Sequence, residues 1–248
     1  IFIIVDDLLD SKDKQNFSAF IETWIKEKIG LILKSLIDLK NLKESNSSIK
    51  ALAYQLYENN GVLKRESVTD YLKKLGQDER KVLRELGVKF GRYHIFLYKL
   101  LKPEAVSLRI LLWKNFHQKS FNLKPPTFGL NFVEGENIKN KNFMLLCGFE
   151  NFDNYFVRID ILERLFVQII NSNPDKNKET KLVPEMLNLL GCNKQNFKKL
   201  IEKMNYKTFE KKDDFYFKYS PKKIIKKNPK KIVASNSPFK VLKNLNLN

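Results

Sequence analysis

The stretch that decides the fold is residues 184–219, which read PEMLNLLGCNKQNFKKLIEKMNYKTFEKKDDFYFKY. Pro184 opens a short apolar segment that ends at Gly191, and Asn193 follows as a helix N-cap. The next apolar residues recur at i, i+3, i+4 and i+7, one face of a helix; they are Phe197, Leu200, Ile201 and Met204. Residues 206–219 then alternate around a polar tip, as a β-hairpin does. The stretch therefore predicts a helix, a tight turn, a second helix and a hairpin.

A longer amphipathic segment precedes this stretch. Asp160 and Glu163 have the spacing of a capping box, in which the N-cap is followed three residues later by Glu. Residues 171–181 are polar and predict a loop. Helix, short helix, tight turn, helix and hairpin is the order of a winged helix, in which the helix after the turn often approaches nucleic acid. We therefore predict a winged-helix-like domain over residues 142–220.

The upstream residues predict a helical domain over residues 1–123. Helical periodicity over residues 14–40 indicates one long helix, and Ser48 begins another. Pro103 opens a later helix, at the position where its missing N–H costs nothing. Scarce Gly, at 9 residues, and scarce Pro, at 8, also favour helices over a turn-rich β architecture.

Part of this domain resembles a helix-turn-helix unit, at about residues 48–98. A short helix ends at Gly76, and Asp78 is placed to cap the next one. Residues 88–98 change to the alternation of a short hairpin.

Two segments lie outside the predicted domains. Residues 124–141 contain Pro125 and Pro126 and predict an irregular linker. Residues 221–248 are rich in lysine and carry no acid, so we expect a tail that is disordered until it meets an anion. The predicted fold class is mainly α with small β-hairpins, comprising a helical domain, a winged-helix-like domain and this basic tail.

The charge balance favours a polyanionic partner. Lys and Arg number 46 against 28 Asp and Glu, which gives a net charge of +18. Counterion release draws such a chain to phosphate polymers. Solubility together with an AT-rich codon bias is the plain alternative. An anionic membrane fits less well, and Lys34 interrupts the best apolar run, so no membrane span is expected.

Cys147 and Cys192 are far apart, which indicates no disulfide and a reducing cytoplasm.

The candidate nucleic-acid contacts are cations on the predicted hairpins, on the helix after Asn193 and in the tail. They are Lys89, Arg92, Lys194, Lys198, Lys199, Lys203, Lys207, Lys211, Lys212, Lys222, Lys223, Lys226 and Lys227. The competing interpretation of the helix is an ordinary solvated face. No Arg or Asn constellation indicates base readout, so we expect backbone contacts with little sequence preference. The aromatic residues near Arg92 could stack on unpaired bases if they are exposed. The alternation of apolar and polar residues in this segment instead favours a core position for Phe90 and Phe96.

Catalytic motifs are missing from the sequence. It has no phosphate-binding Gly-x-x-x-x-Gly-Lys-Ser/Thr loop and no Asp-Glu box, so this chain alone is not expected to hydrolyse ATP. His94 and His117 have no Cys or carboxylate at ligand spacing, which favours structural roles over a metal site. No catalytic residue, metal or cofactor is therefore predicted within this chain.

One segment carries a family resemblance. Residues 79–113 read ERKVLRELGVKFGRYHIFLYKLLKPEAVSLRILLW, with marks at LGVKFG, LLKP and LLW. This resembles the C-terminal region of superfamily 2 helicases of α-proteobacteria, relatives of the mitochondrial degradosome DExH-box RNA helicase. Residues 157–165, 184–192 and 204–206 also look like that family, in the same order. Many relatives carry proline where Tyr98 stands here.

The resemblance implies an accessory role rather than a motor role. Two RecA-like domains of the same polypeptide, with ATP and Mg²⁺, would lie upstream of Ile1. This piece would pack behind the second of them and help to enclose the strand. The resemblance leaves RNA and DNA both open, and single-stranded RNA is the partner that we expect. The resemblance assigns no catalytic residue to this chain. The start at Ile1 rather than Met, followed by an apolar run, also indicates a piece of a longer protein.

Two other functions stay open on the sequence. One is a protein-interaction module that docks a nuclease or a ribosomal partner, with its positive charge incidental. The other is a free-standing winged-helix nucleic-acid-binding protein.

Overall fold

The computed structural model describes residues 10–43, 47–117, 122–135, 140–172, 179–211 and 214–220. Two helices lead in, α1 (Ser11–Ile32) and α2 (Lys34–Lys40). The single helix predicted over 14–40 is interrupted at Leu33, whose backbone leaves helical geometry. After α2 the chain builds three units in tandem, and each contains a three-stranded antiparallel sheet.

Unit 1 spans residues 47–97. Its elements are α3 (Ser47–Glu58), β1 (Val62–Lys64), a 3₁₀ turn (Arg65–Val68), α4 (Thr69–Lys74), α5 (Gln77–Glu85), β2 (Val88–Phe90) and β3 (His94–Leu97). The strand order is β1-β3-β2, which confirms the hairpin predicted over 88–98. The cap prediction for Asp78 is wrong, because α5 already begins at Gln77 and Gly76 takes the N-cap position. The core is formed mainly by aliphatic residues such as Leu52 and Ile95.

Unit 2 spans residues 103–158. Its elements are α6 (Pro103–Phe116), β4 (Phe132–Glu134), α7 (Lys141–Leu146), β5 (Phe149–Phe152) and β6 (Tyr155–Arg158), with strand order β4-β6-β5. The stretch 124–141, predicted as an irregular linker, therefore contains a strand that pairs with β6. A fully buried Phe156 lies at the centre of this unit's core.

Unit 3 spans residues 159–219. Its elements are α8 (Ile159–Ser172), β7 (Thr180–Lys181), α9 (Pro184–Leu190), α10 (Lys194–Lys203), β8 (Tyr206–Lys211) and β9 (Asp214–Tyr219), with strand order β7-β9-β8. The two helices and the hairpin predicted over 184–219 are confirmed. Gly191 ends α9 with a φ of 69°, the left-handed geometry that glycine tolerates.

Two details of unit 3 differ from expectation. Residues 171–181 were predicted as a loop, but α8 reaches Ser172 and β7 begins at Thr180. The capping box is wrong, because Ile159 already belongs to α8 and Asp160 pairs with Arg158, with an Nε–Oδ1 distance of 2.7 Å. Glu163 binds elsewhere, as described below.

The three units share one plan and follow one another closely. Each runs helix, strand, one or two helices, then a hairpin, and in each sheet the third strand lies between the first and the second. A 3₁₀ turn (Tyr98–Leu101) joins β3 to α6, and α8 begins at the residue after β6 ends. The chain is thus mainly helical with small antiparallel sheets, as predicted. No helix of the described part is long and apolar enough to cross a membrane.

Candidate nucleic-acid interface

Helix α10 carries the first cluster of candidate cations. Phe197, Leu200 and Ile201 are fully buried and fix the helix on the core of unit 3. The Asn193 side chain caps it by accepting the Asn196 N–H at 2.8 Å. These anchors turn an exposed face outward, and its cations are Lys194, Lys198 and Lys199. Among the described residues, no acid forms an ion pair with Lys198 or Lys199.

One flank of α10 contacts unit 2. The Lys203 ammonium lies 2.5 Å from a carboxylate oxygen of Asp153, in the turn between β5 and β6. The Asn196 side chain donates to Glu134 of β4 at 3.0 Å. The hydrogen bond with Asp153 raises the pKa of Lys203, so this lysine stays charged while its partner neutralises it. Lys194, Lys198 and Lys199 stay exposed beside this contact.

The hairpin of unit 3 carries the second cluster. Lys207 of β8 lies directly opposite Lys218 of β9, and both are exposed. At the other end of the hairpin Lys211 pairs with Glu179, at an Nζ–Oε2 distance of 2.5 Å. Lys181 of β7 pairs with Asp214 at the same distance. Among the described residues of this hairpin, the lysines without an acidic partner are therefore Lys207 and Lys218.

Several predicted contacts fall outside the described residues. They are Lys212 and the tail lysines Lys222, Lys223, Lys226 and Lys227.

The hairpin of unit 1 carries Lys89 and Arg92. Lys89 is exposed on β2, at the edge of its sheet. Arg92 lies against unit 3, with its guanidinium carbon 5.6 Å from the ring centroid of Phe166 on α8. The neighbouring Tyr93 packs against the core of unit 3 and meets Phe166 edge-on. The structure therefore brings Arg92 to unit 3, whereas Lys89 stays on unit 1.

A cluster of charged groups around the buried His94 joins the three units. His94 of β3 is 2% exposed, and its Nε2 lies 2.6 Å from Oε2 of Glu150 on β5. Lys64 of β1 donates to the other oxygen of Glu150 at 2.9 Å. Glu163 of α8 lies 3.8 Å from Nδ1 of His94, an ion-pair distance rather than a hydrogen bond.

The same Glu163 carboxylate binds the turn of the unit 1 hairpin. It accepts the backbone N–H groups of Tyr93 and His94 at 2.8 and 2.9 Å, and also that of Arg92. Gly91 makes this approach possible, because a Cβ at that position would overlap the carboxylate. Glu163 thus closes unit 3 onto unit 1.

The partners in this cluster set its charges. Burial lowers the pKa of His94, but the hydrogen bond with Glu150 and the nearby Glu163 outweigh it, and the net pKa is raised. Burial raises the pKa of Glu150 and of Glu163, yet the hydrogen bonds that each accepts outweigh it and lower both. His94 therefore lies between the carboxylates of Glu150 in unit 2 and Glu163 in unit 3. The described residues contain no group of three or more His, Cys, Asp or Glu side chains placed to hold a metal.

Comparison with known proteins adds no identification, because no family model, curated protein or solved structure matches the chain.

Two residues of the interface were missed in the sequence. Phe209 of β8 and Tyr216 of β9 are register partners on the same side of the sheet as Lys207 and Lys218. The alternation of the hairpin contains that signal, because positions two apart share a face. It does not tell which of the two faces is the core, since β9 carries aromatic residues on both.

Proposed function

We propose that this chain is an accessory nucleic-acid-binding region of an ATP-dependent superfamily 2 helicase, and that it holds single-stranded RNA by its phosphates. One observation carries the proposal. Among the described residues of unit 3, the exposed lysines without an acidic partner are Lys194, Lys198, Lys199, Lys207 and Lys218, and all of them lie on α10 or on the hairpin that follows it. Lysine ammonium groups bind phosphate oxygens as point charges and read no sequence.

The topology supports the interpretation of unit 3 as a winged helix. Helix, strand, helix, helix and hairpin, with the first strand pairing to the third, is the arrangement that this fold requires. In such folds the helix before the hairpin is the one that meets the nucleic acid, which here is α10. Units 1 and 2 follow the same plan, so we interpret the chain as three winged-helix-like units in tandem.

The helicase assignment rests on the resemblance over residues 79–113. RecA-like domains of the same polypeptide would supply ATP hydrolysis and Mg²⁺. This chain would hold the strand in the cytoplasm while they move along it. Under this division of labour, binding by the isolated chain is weak, electrostatic and independent of ATP.

The salt dependence of binding tests the proposal. We expect the chain to bind a single-stranded uridine oligomer at low salt, with a log–log salt slope of about −0.7 for each phosphate neutralised. Replacing Lys198 and Lys199 together by Glu should lower the affinity about tenfold at low salt and make the slope shallower by roughly 1.4. Fluorescence anisotropy across a salt series measures both quantities.

The control is the double replacement of Lys26 and Lys28 by Glu on α1, which changes the net charge equally and lies outside unit 3. If both double variants lose the same affinity, the chain attracts RNA by overall charge alone. If the Lys198 and Lys199 variant binds like the wild type, the assignment of α10 fails.

The alternative, a protein-interaction module, is favoured by a different surface. Helix α1 has no buried residue, and Phe17, Phe20, Trp24 and Leu31 recur along it at spacings of three, four and seven residues. They are 53%, 69%, 52% and 70% exposed. Such a stripe suits another folded surface, such as a motor domain, a nuclease or a ribosomal protein.

Replacing Phe20 and Trp24 together by Glu separates the two functions. Because both side chains are largely exposed, we expect the stability to change by less than about 1 kcal/mol and RNA binding to persist. A purified nuclease or ribosomal protein that stays bound at high salt and is released by this variant would favour the alternative. Genomic sequence upstream of residue 1 that encodes a phosphate-binding loop would exclude a free-standing regulator.

A further inference from the structure

The outer face of the unit 3 sheet carries an aromatic pair that no core accounts for. Phe209 and Tyr216 lie opposite each other, with ring centroids 6.1 Å apart and planes inclined by only 5°. Both rings are half-buried. The inner face is already filled by Tyr206, Phe215 and Phe217, which belong to the unit 3 core. Within the described part of the chain, no core cluster covers the Phe209–Tyr216 pair.

One cation, the Lys211 ammonium that pairs with Glu179, lies over this pair. The Lys211 ammonium lies 5.2 Å from the ring centroid of Phe209 and 5.9 Å from that of Tyr216. The next pair along the same face is Lys207 opposite Lys218. Like charges directly opposite on an antiparallel pair destabilise it. The face therefore combines flat apolar rings with two lysines, Lys207 and Lys218, whose mutual repulsion a bound anion would reduce.

Protection against aggregation explains only part of this arrangement. Lysines on an edge strand discourage pairing with another sheet, which suits Lys207 on the edge strand β8. Lys218 lies on β9, which pairs with β7 only at Phe217 and Tyr216. Edge protection does not require two parallel rings beside the lysines.

We propose that this face is a base-stacking platform for single-stranded nucleic acid. An unpaired base stacks on the rings of Phe209 and Tyr216, and the adjoining phosphates bind Lys207 and Lys218. The inference rests on the proposed function and deepens it, because it gives the chain a preference for unpaired bases that phosphate contacts alone do not provide. Stacking is tolerant of sequence, since every base has a π-face.

The test replaces Phe209 and Tyr216 together by Leu, which keeps apolar bulk and removes the rings. Wild-type and variant chains are titrated with a uridine oligomer of about 12 nucleotides and, separately, with inorganic polyphosphate, which has the charge but no base. We expect the affinity for the oligomer to fall about tenfold or more, and that for polyphosphate to change less than about twofold. Circular dichroism melting checks that the variant is folded.

The control is Tyr54→Leu, which removes a 60% exposed ring from α3 in unit 1. It should bind both ligands as the wild type does. The deoxyuridine oligomer should lose as much affinity as the RNA, because the platform contacts bases rather than the 2′-hydroxyl. A loss confined to RNA would overturn the platform.

Failure of the platform differs from failure of the proposed function. If the wild type binds both ligands and the double variant keeps the same ratio of affinities, the platform is wrong and phosphate binding stands. If the wild type binds neither ligand, both proposals fail.

Discussion

Replacing Glu163 by Ala is expected to destabilise the folded chain by about 3 kcal/mol. The carboxylate accepts three successive backbone N–H groups, of Arg92, Tyr93 and His94, and it lies 3.8 Å from the buried His94 ring. Alanine leaves these donors without their acceptor at the junction of units 1 and 3, where the bonds of Tyr93 and His94 are partly buried. Urea unfolding followed by circular dichroism measures the loss.

Two companion variants show whether the junction is responsible. Glu163→Gln keeps an acceptor oxygen without the charge, so its cost should be smaller, about 1 to 2 kcal/mol. Glu85→Ala removes an exposed carboxylate from α5 and should change the stability by less than about 0.5 kcal/mol. If Glu163→Ala costs no more than Glu85→Ala, Glu163 does not hold the units together.

The second large effect is expected at Phe197, where replacement by Ala should cost about 4 kcal/mol. The ring is fully buried, with centroids 5.7 Å from Phe217 and 6.4 Å from Phe215. Its loss leaves a cavity between α10 and the inner face of the sheet. Urea unfolding and melting temperature both report the change.

Phe209→Ala is the matched control, because it removes the same side chain from the outer face of the same sheet. It should cost no more than about 1 kcal/mol, the value of one cross-strand pair. Equal losses of stability at Phe197 and Phe209 would mean that the outer face is packed as tightly as the core. The platform would then have no exposed ring on which a base could stack.

The pattern of apolar residues predicted those helices and strands that are long enough for the pattern to repeat. Helix α10 repeats its apolar residues at helical spacing. Pro184 and Gly191 fix the ends of α9 through their backbone conformations, and the Asn193 side chain caps α10. The strand β4 is three residues long, too short to establish an alternation. Only its pairing with β6 identifies it. The sequence-based boundaries therefore divided unit 2 among the helical domain, the linker and the winged-helix-like domain.

Long-range contacts explain the remaining differences. Glu163 has the spacing of a capping box, but its donors lie about 70 residues upstream in the chain. The sequence marks Lys198, Lys203 and Lys211 alike as cations. Which of them meets Asp153 or Glu179 depends on how the units pack, and this packing separates paired lysines from free ones.

The direct succession of β6 and α8 determines how the chain responds to mechanical load. No residue separates the last strand of unit 2 from the first helix of unit 3, and Arg158 on one side of the join pairs with Asp160 on the other. A hinge needs residues whose dihedral angles are free to change, and here such rotation would unwind the first turn of α8 or distort the end of β6. Tension applied to unit 3 therefore passes through the peptide backbone into unit 2, because there is no linker between the two units that could extend first.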